Sequence, residues 1–238
     1  MNAVEVPPED VSDRHAPARD VFVGRHSSVW QTLSRCTAIA PPRVQAIGHE
    51  DVGTFGFTSA DRVWVLSYSR SPDANRALLD KLSRRLVREI VYVSSSSTIV
   101  AAVTACYEYP RVKLRAELDA LALPATTRVL TIGMMYESEL QLPGGRNVAT
   151  SYAELAKFVA MPEWPEEGGR RKCLFRVVER PFGSSLERWA YWAYAQLMRL
   201  LASRPCILRP LDLILRALGV RWYGYVHLSN RLWTSTTS

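Results

Sequence analysis

The chain has 238 residues, a formal net charge of +7 and 22% charged residues. That length supports one sizeable core, or one domain with a small cap, in a composition ordinary for a soluble globular protein. No apolar run is long enough to span a bilayer, so no transmembrane segment is expected. The excess arginine is spread out, with local clusters at residues 84–85 and 169–172. It suits a nucleotide or an anionic surface; no nucleic acid partner is expected, because no binding motif accompanies it. Cys36, Cys106, Cys173 and Cys206 are not at metal-ligand spacing. They read as reduced thiols of a cytoplasmic protein, with no metal site.

In chain order, residues 1–19 carry Pro, Glu and Asp with little periodicity and read as a flexible tail. Residues 20–24 (DVFVG) read as a short apolar strand, and residues 27–39 as a helix carrying Val29, Leu33 and Ile39. Strand, glycine turn and helix make a first βα unit. Ser27 is placed to cap the helix. Residues 43–47 (RVQAI) form a second strand, followed by Gly48, His49, Glu50 and Asp51. Residues 61–67 (DRVWVLS) form a third. A helix over 77–88 follows, with Leu78, Leu79, Leu82 and Leu86 on one face and Asp73 or Asn75 as cap.

The stretch over 88–121 organises the rest. Residues 90–93 are apolar and β-branched or aromatic and run into a serine cluster, Ser94 to Ser97, as a fully buried strand should. After Pro110 the apolar residues recur at helical spacing, and Pro110 fits only the first turn of that helix. Tyr109 and Lys113 then lie four apart on one face. A phenol beside a fixed ammonium has its pKa lowered and can exchange a proton with a substrate hydroxyl. A serine at the end of the preceding strand can orient that hydroxyl.

Residues 127–132 (TRVLTI) form the next strand, residues 150–160 an amphipathic helix with a Ser or Thr cap, and residues 173–178 a late strand. From residue 184 the chain is helical and rich in leucine and aromatics. That stripe suits a core face, a cap over a site, or a membrane interface shared with its arginines. The alternating order predicts an α/β fold, a doubly wound parallel sheet over 20–160, with a small C-terminal cap region over 161–238.

The serine-ended strand, Tyr109-x-x-x-Lys113 and Glu117 one turn on resemble the short-chain dehydrogenase/reductase superfamily. The likeness is greatest to its extended branch of sugar-nucleotide epimerases, dehydratases and reductases. The resemblance implies a Rossmann-like fold and an NAD or NADP cofactor. It implies Tyr109 as acid/base, Lys113 on the nicotinamide ribose, and Ser96 on the substrate, with Ser95 the close alternative. The phosphate turn would be Gly24, Arg25, His26, Ser27 and Ser28, where Ser27 and Trp30 stand at the family's second and third glycines. Glu50 or Asp51 would meet the adenosine ribose, and Ser67 and Ser94, at strand ends, would lie against the cofactor. Ser96 and Tyr109 are thirteen residues apart, a shorter spacing than the family's. The substrate implied is a small molecule with a hydroxyl or keto carbon, such as a nucleotide sugar, and a homodimer is among the assemblies allowed. The alternative is a non-catalytic relative that keeps the fold as a binding or regulatory module.

Overall fold

The computed structural model describes residues 19–36, 39, 43–66, 68–123, 126–165, 169–201, 204–220 and 224–236. Six strands form one parallel sheet: β1 (Asp20–Val23), β2 (Val44–Ile47), β3 (Arg62–Val65), β4 (Glu89–Ser95), β5 (Thr127–Ile132) and β8 (Arg171–Leu174). Their order across the sheet is β2-β1-β3-β4-β5-β8. The register sets Val21 beside Gln45 and Val63, and Val63 beside Ile90. This is a doubly wound, Rossmann-like α/β sheet. The five expected apolar runs are its first five strands.

Successive strand residues point to opposite faces, and both faces are covered. On one face Val21, Val23, Val63, Val65, Ile90 and Tyr92 pack under Leu78, Leu79, Leu82, Ala116 and Ala120. Those side chains come from α2 (Pro72–Ser83) and α3 (Glu108–Ala122). On the other face Phe22, Trp64, Val91, Val93 and Leu130 pack against Leu33, Leu155, Phe158 and Val159, from α1 (Ser28–Leu33) and α4 (Tyr152–Val159). Largely apolar strands flanked by amphipathic helices leave the chain few other ways to bury both surfaces.

Several boundaries differ from the sequence reading. The first helix is only six residues long. Beyond it the chain tightens, with Arg35 and Cys36 donating to the carbonyls three residues back, and it runs on toward Pro41 and Pro42. The helix expected over 77–88 is α2, capped by Ser71 with Pro72 in its first turn. The Asn75 side chain instead ties the loop, bonding both N–H and C=O of Ser69. Leu86 lies past the helix and is exposed. The helix expected over 150–160 is α4, started by a capping box between Ser151 and Glu154. The late strand is two: β8 completes the large sheet, and β9 (Arg176–Arg180) joins a small one with β6 (Met134–Tyr136) and β7 (Gly145–Ser151).

One buried cation fastens α4 to the sheet. The Arg62 guanidinium donates to Asp20 Oδ1 at 2.7 Å and to the carbonyls of Met161 and Val159 at 2.8 and 2.5 Å. Its charge also lies 4.9 Å from the Trp64 ring centroid.

The C-terminal helices α5 (Ser185–Leu201), α6 (Pro205–Ala217) and α7 (Gly224–Thr236) build a separate small core. Tyr194, Met198, Leu208 and Leu228 pack with Val100 and Cys106 from the β4–α3 connection. Asp212 accepts hydrogen bonds from the hydroxyls of Tyr107 and Tyr194 at 2.7 and 2.8 Å, and Trp233 Nε1 donates to the Ser96 carbonyl at 2.9 Å. These bonds seat the cap over the end of β4. His227 of α7 is fully buried with neither ring nitrogen hydrogen-bonded. Tyr191 and Tyr194 meet it edge-on.

Arg62→Leu is expected to cost about 2–4 kcal/mol, because it leaves the carbonyls of Val159 and Met161 without this donor and Asp20 with only Trp64 Nε1; urea unfolding measures this. A second expectation concerns acid. Burial, then the nearby Arg231, lowers the His227 pKa from 6.5 to about 4. Between those values the unfolded chain binds a proton that the folded chain refuses, so stability falls as pH drops. The loss attributable to His227 by pH 4 is about 3 kcal/mol. His227→Phe, compared with the parent across pH 4–7, should lack that component.

Candidate functional site

The order of the sheet reverses direction beside β1: the chain passes from β1 to β2 on one side, then to β3 on the other. Crevices at the carboxyl ends of strands form at such points. Here one holds a cavity of about 320 Å³ lined by Ser27, Ser28, Tyr68, Ser94, Ser95, Tyr109, Lys113 and Gly133. Four strand ends or their following turns contribute. A neighbouring cavity of about 190 Å³ is lined by Ser95, Ser96, Ser97, Tyr109, Gly133, Tyr225, Ser229 and Asn230. Ser95, Tyr109 and Gly133 are common to both.

Helix α3 presents Tyr109 and Lys113 because two polar ties fix it to β4. Lys113 Nζ donates to the Val93 carbonyl at 3.0 Å, and Ser94 Oγ donates to Glu117 Oε2 at 2.8 Å. Lys113 and Glu117 are both buried. The ammonium sits 5.0 Å from the Tyr92 ring centroid and 5.6 Å from that of Tyr68, which offsets part of its desolvation. Burial still lowers its pKa to about 8, against the opposing pull of Glu117.

Tyr109 is held by its ring. Tyr225 stacks on it at 5.3 Å and Tyr68 meets it edge-on at 5.0 Å. Ser95, which lines both cavities with it, lies beside its hydroxyl. The sequence suggested a lowered phenol pKa, yet burial pushes it up to about 12. Tyr225 and Tyr68 raise it further and Ser95 pulls it down. Lys113 is turned onto a carbonyl, so desolvation decides. Near neutral pH this phenol is protonated.

The serines divide. Ser95 shares a hydrogen bond with the Ser97 hydroxyl at 2.9 Å as well as meeting Tyr109. Ser96 is buried, lines only the inner cavity of the two, and lies 3.5 Å from the Ser229 hydroxyl. Ser94 is committed to Glu117 while lining the outer cavity. Ser67 lies outside the described residues.

The glycine turn is present but altered. Gly24 adopts φ 118°, open to glycine and strained for other residues. Ser27 caps α1 by accepting from Trp30 N–H at 3.1 Å. Trp30, where a small residue would permit close approach, packs its ring at a tilt against Phe22, centroids 4.7 Å apart. Arg25 does not reach into the cavity. It pairs with Glu50 at 2.8 Å and Asp51 at 3.1 Å, and its Nε donates to His26 Nε2. The carboxylates expected to meet a ribose thus hold the arginine expected to meet a phosphate.

Contributors that escaped the sequence reading include Tyr68, Gly133, Tyr225, Ser229 and Asn230. Asn230 Oδ1 accepts from Val148 N–H at 2.9 Å, joining α7 to β7. Tyr225 and Ser229 stand four apart in the C-terminal stretch, a helical spacing that would have placed both on one face. A Cβ at Gly133 would lie 2.6 Å from the Val148 carbonyl oxygen and 2.8 Å from Ala149 Cα. The chain therefore crosses there at a distance only glycine permits.

No family model matches this sequence, and no curated protein matches it. Solved structures overlap with it in part. UDP-N-acetylglucosamine 4-epimerase from Bacillus cereus has 13% identity over 66% of this chain and 77% of its own, TM-score 0.48. dTDP-4-dehydrorhamnose reductase from Bacillus anthracis, in complex with NADP, has 9% identity over 75% and 81%, TM-score 0.48. UDP-glucuronic acid 4-epimerase from Bacillus cereus, with a fluorinated UDP-sugar and NAD, has 11% identity over 67% and 79%, TM-score 0.46. Overlaps this partial assign no activity.

Gly133→Ala is expected to cost about 1–3 kcal/mol by overpacking against backbone, read as a lowered urea midpoint. It should also perturb Tyr109, whose cavities both have Gly133 in their walls.

Proposed function

We propose that this chain binds a nicotinamide dinucleotide and reduces, or reversibly oxidises, a hydroxyl or keto carbon of a small molecule, with a nucleotide sugar as the preferred class. The observation that carries the reading is a single cavity. It joins the turn after β1 (Ser27, Ser28) to Tyr109, Ser95 and Lys113, at the sheet position where such cofactors bind.

The cavity offers the nicotinamide-ribose end two polar groups, each already holding one bond within the protein: Lys113 to the Val93 carbonyl and Ser94 to Glu117. Lys113 and Ser94 would hold the ribose, and Ser27 and Ser28 would meet the phosphates. The adenosine end is weaker, since Arg25 already occupies Glu50 and Asp51. When bound, the cofactor would supply or accept the hydride. The chain supplies the proton. With its pKa near 12, Tyr109 is a donor at neutral pH, suited to protonating a carbonyl oxygen as it becomes a hydroxyl. Ser95, which lines the same two cavities as Tyr109, would orient that oxygen. Ser96 and Ser97 also line the inner cavity, where Ser229 and Asn230 add further polar groups.

Titration with NADH and NADPH to millimolar concentration, followed by cofactor fluorescence, tests binding. Tyr109→Phe keeps the ring stack and removes one oxygen. It should lower turnover by ~10²-fold or more with cofactor affinity little changed. Turnover should also fall as pH rises through about 8, where Lys113 loses its proton, and Lys113→Met should weaken cofactor binding at all pH values. The second reading, a non-catalytic relative, is favoured by one observation, the closed Arg25–Glu50–Asp51 cluster. Absence of binding by either cofactor would decide for it.

A further inference from the structure

The described residues expose few bulky apolar side chains outside the cap, and the cap concentrates them on one pair of helices. On α5, Leu186, Trp189, Trp192 and Leu200 are exposed, Trp189 by 64% and Trp192 by 59%. At 100° per residue they fall within one stripe, while Tyr194 and Met198 on the far side enter the small core. On α6, Ile207, Leu213, Ile214 and Leu218 at its C-cap are exposed, Leu213 by 66% and Leu218 by 72%. Cys206, Pro210 and Ala217 fall between them on the same exposed face. No charged residue interrupts that face. Soluble surfaces rarely keep apolar stripes of this size on neighbouring helices unless something covers them.

The charges around it say what covers it. Residues 185–217 contain five arginines (188, 199, 204, 209 and 216) and two acids, Glu187 and Asp212. Asp212 is buried and held by Tyr107 and Tyr194. Glu187 is turned back onto the Gly183 N–H. Arg209 and Arg216 are exposed and border the apolar face of α6. Two adjacent tryptophans, aliphatic side chains and a cationic border form the pattern of a helix lying in a lipid interface. Among the described residues no helix is long and apolar enough to cross a membrane, and the pattern is that of a surface contact. We propose that α5 and α6 dock this protein on an anionic lipid surface, with Trp189, Trp192, Leu213 and Ile214 entering the interface and Arg209 and Arg216 meeting the headgroups. This proposal is independent of the chemistry at Tyr109.

The test is co-sedimentation of the full chain with vesicles of 3:1 phosphatidylcholine and phosphatidylserine, and with phosphatidylcholine alone. Binding should be stronger to the anionic vesicles, weaken in high salt, and shift tryptophan emission to the blue. Trp189→Ser with Leu213→Glu should weaken binding by about tenfold or more. Arg209→Gln and Arg216→Gln should each weaken it about fivefold on anionic vesicles and little on neutral ones. All four sites are exposed, and unchanged circular dichroism and melting verify the fold. Failure of the parent to sediment with anionic vesicles overturns the proposal, as does undiminished binding by the Trp189/Leu213 variant. Sedimentation equilibrium showing a lipid-free dimer, broken by that same variant, would assign the face to a second copy instead.

Discussion

The site depends on how α3 is seated against β4. Lys113 crosses from the helix to the Val93 carbonyl, and Glu117, one turn later, takes the Ser94 hydroxyl. These bonds lie in a buried layer, where an unpartnered ammonium or carboxylate would be costly. They fix the helix in rotation and along its axis, and Tyr109 takes its place from that. The same arrangement explains the phenol's chemistry. The helix carries Tyr109 into a pocket of tyrosines, and the ammonium that would favour the phenolate is spent on a carbonyl. A buried phenol with a neutral neighbourhood gives protons rather than takes them at ordinary pH.

The fold was legible because its signal is local. Each strand is a short apolar run, and each covering helix carries a leucine or alanine face. Neither depends on distant residues. Helix ends were less legible, since they turn on single hydrogen bonds: Ser71 outcompeted Asp73 and Asn75 as cap of α2, and Asn75 served the Ser69 loop. The candidate site was legible along β4 and α3, where Tyr109, Lys113 and the serines are close in sequence. It was illegible where tertiary contacts decide. Tyr68, Gly133 and Tyr225 reach Tyr109 from three separate parts of the chain. Whether Ser95 or Ser96 faces the phenol depends on the turn into the 3-10 helix Ser96–Ala102, which one residue of register reverses. The pairing of Arg25 with Glu50 and Asp51 likewise needs β1 and β2 side by side before it exists.

The cap shows why composition alone misleads. Its aromatics serve three purposes that no count separates. Tyr191 and Tyr194 enclose His227, Tyr225 stacks on Tyr109, and Trp189 and Trp192 face outward. Only the small core divides inward from outward faces. Asp212, the single acid of α6, is drawn inward by two tyrosine hydroxyls, which leaves the outer surface of that helix to arginine and aliphatic carbon.

The strand order places β2 and β8 at the two margins of the large sheet. Each is four residues long. A margin of a parallel sheet offers unpaired amides and carbonyls to any extended chain that meets it, and long apolar margins seed aggregates. Here one margin carries Gln45 and the other begins with Arg171 and Lys172. A strand added beside β8 would have to be short and would meet two cations. The sheet can therefore keep its interior strands almost wholly apolar without templating its own precipitation, a colloidal safeguard placed where the hydrogen bonding runs out.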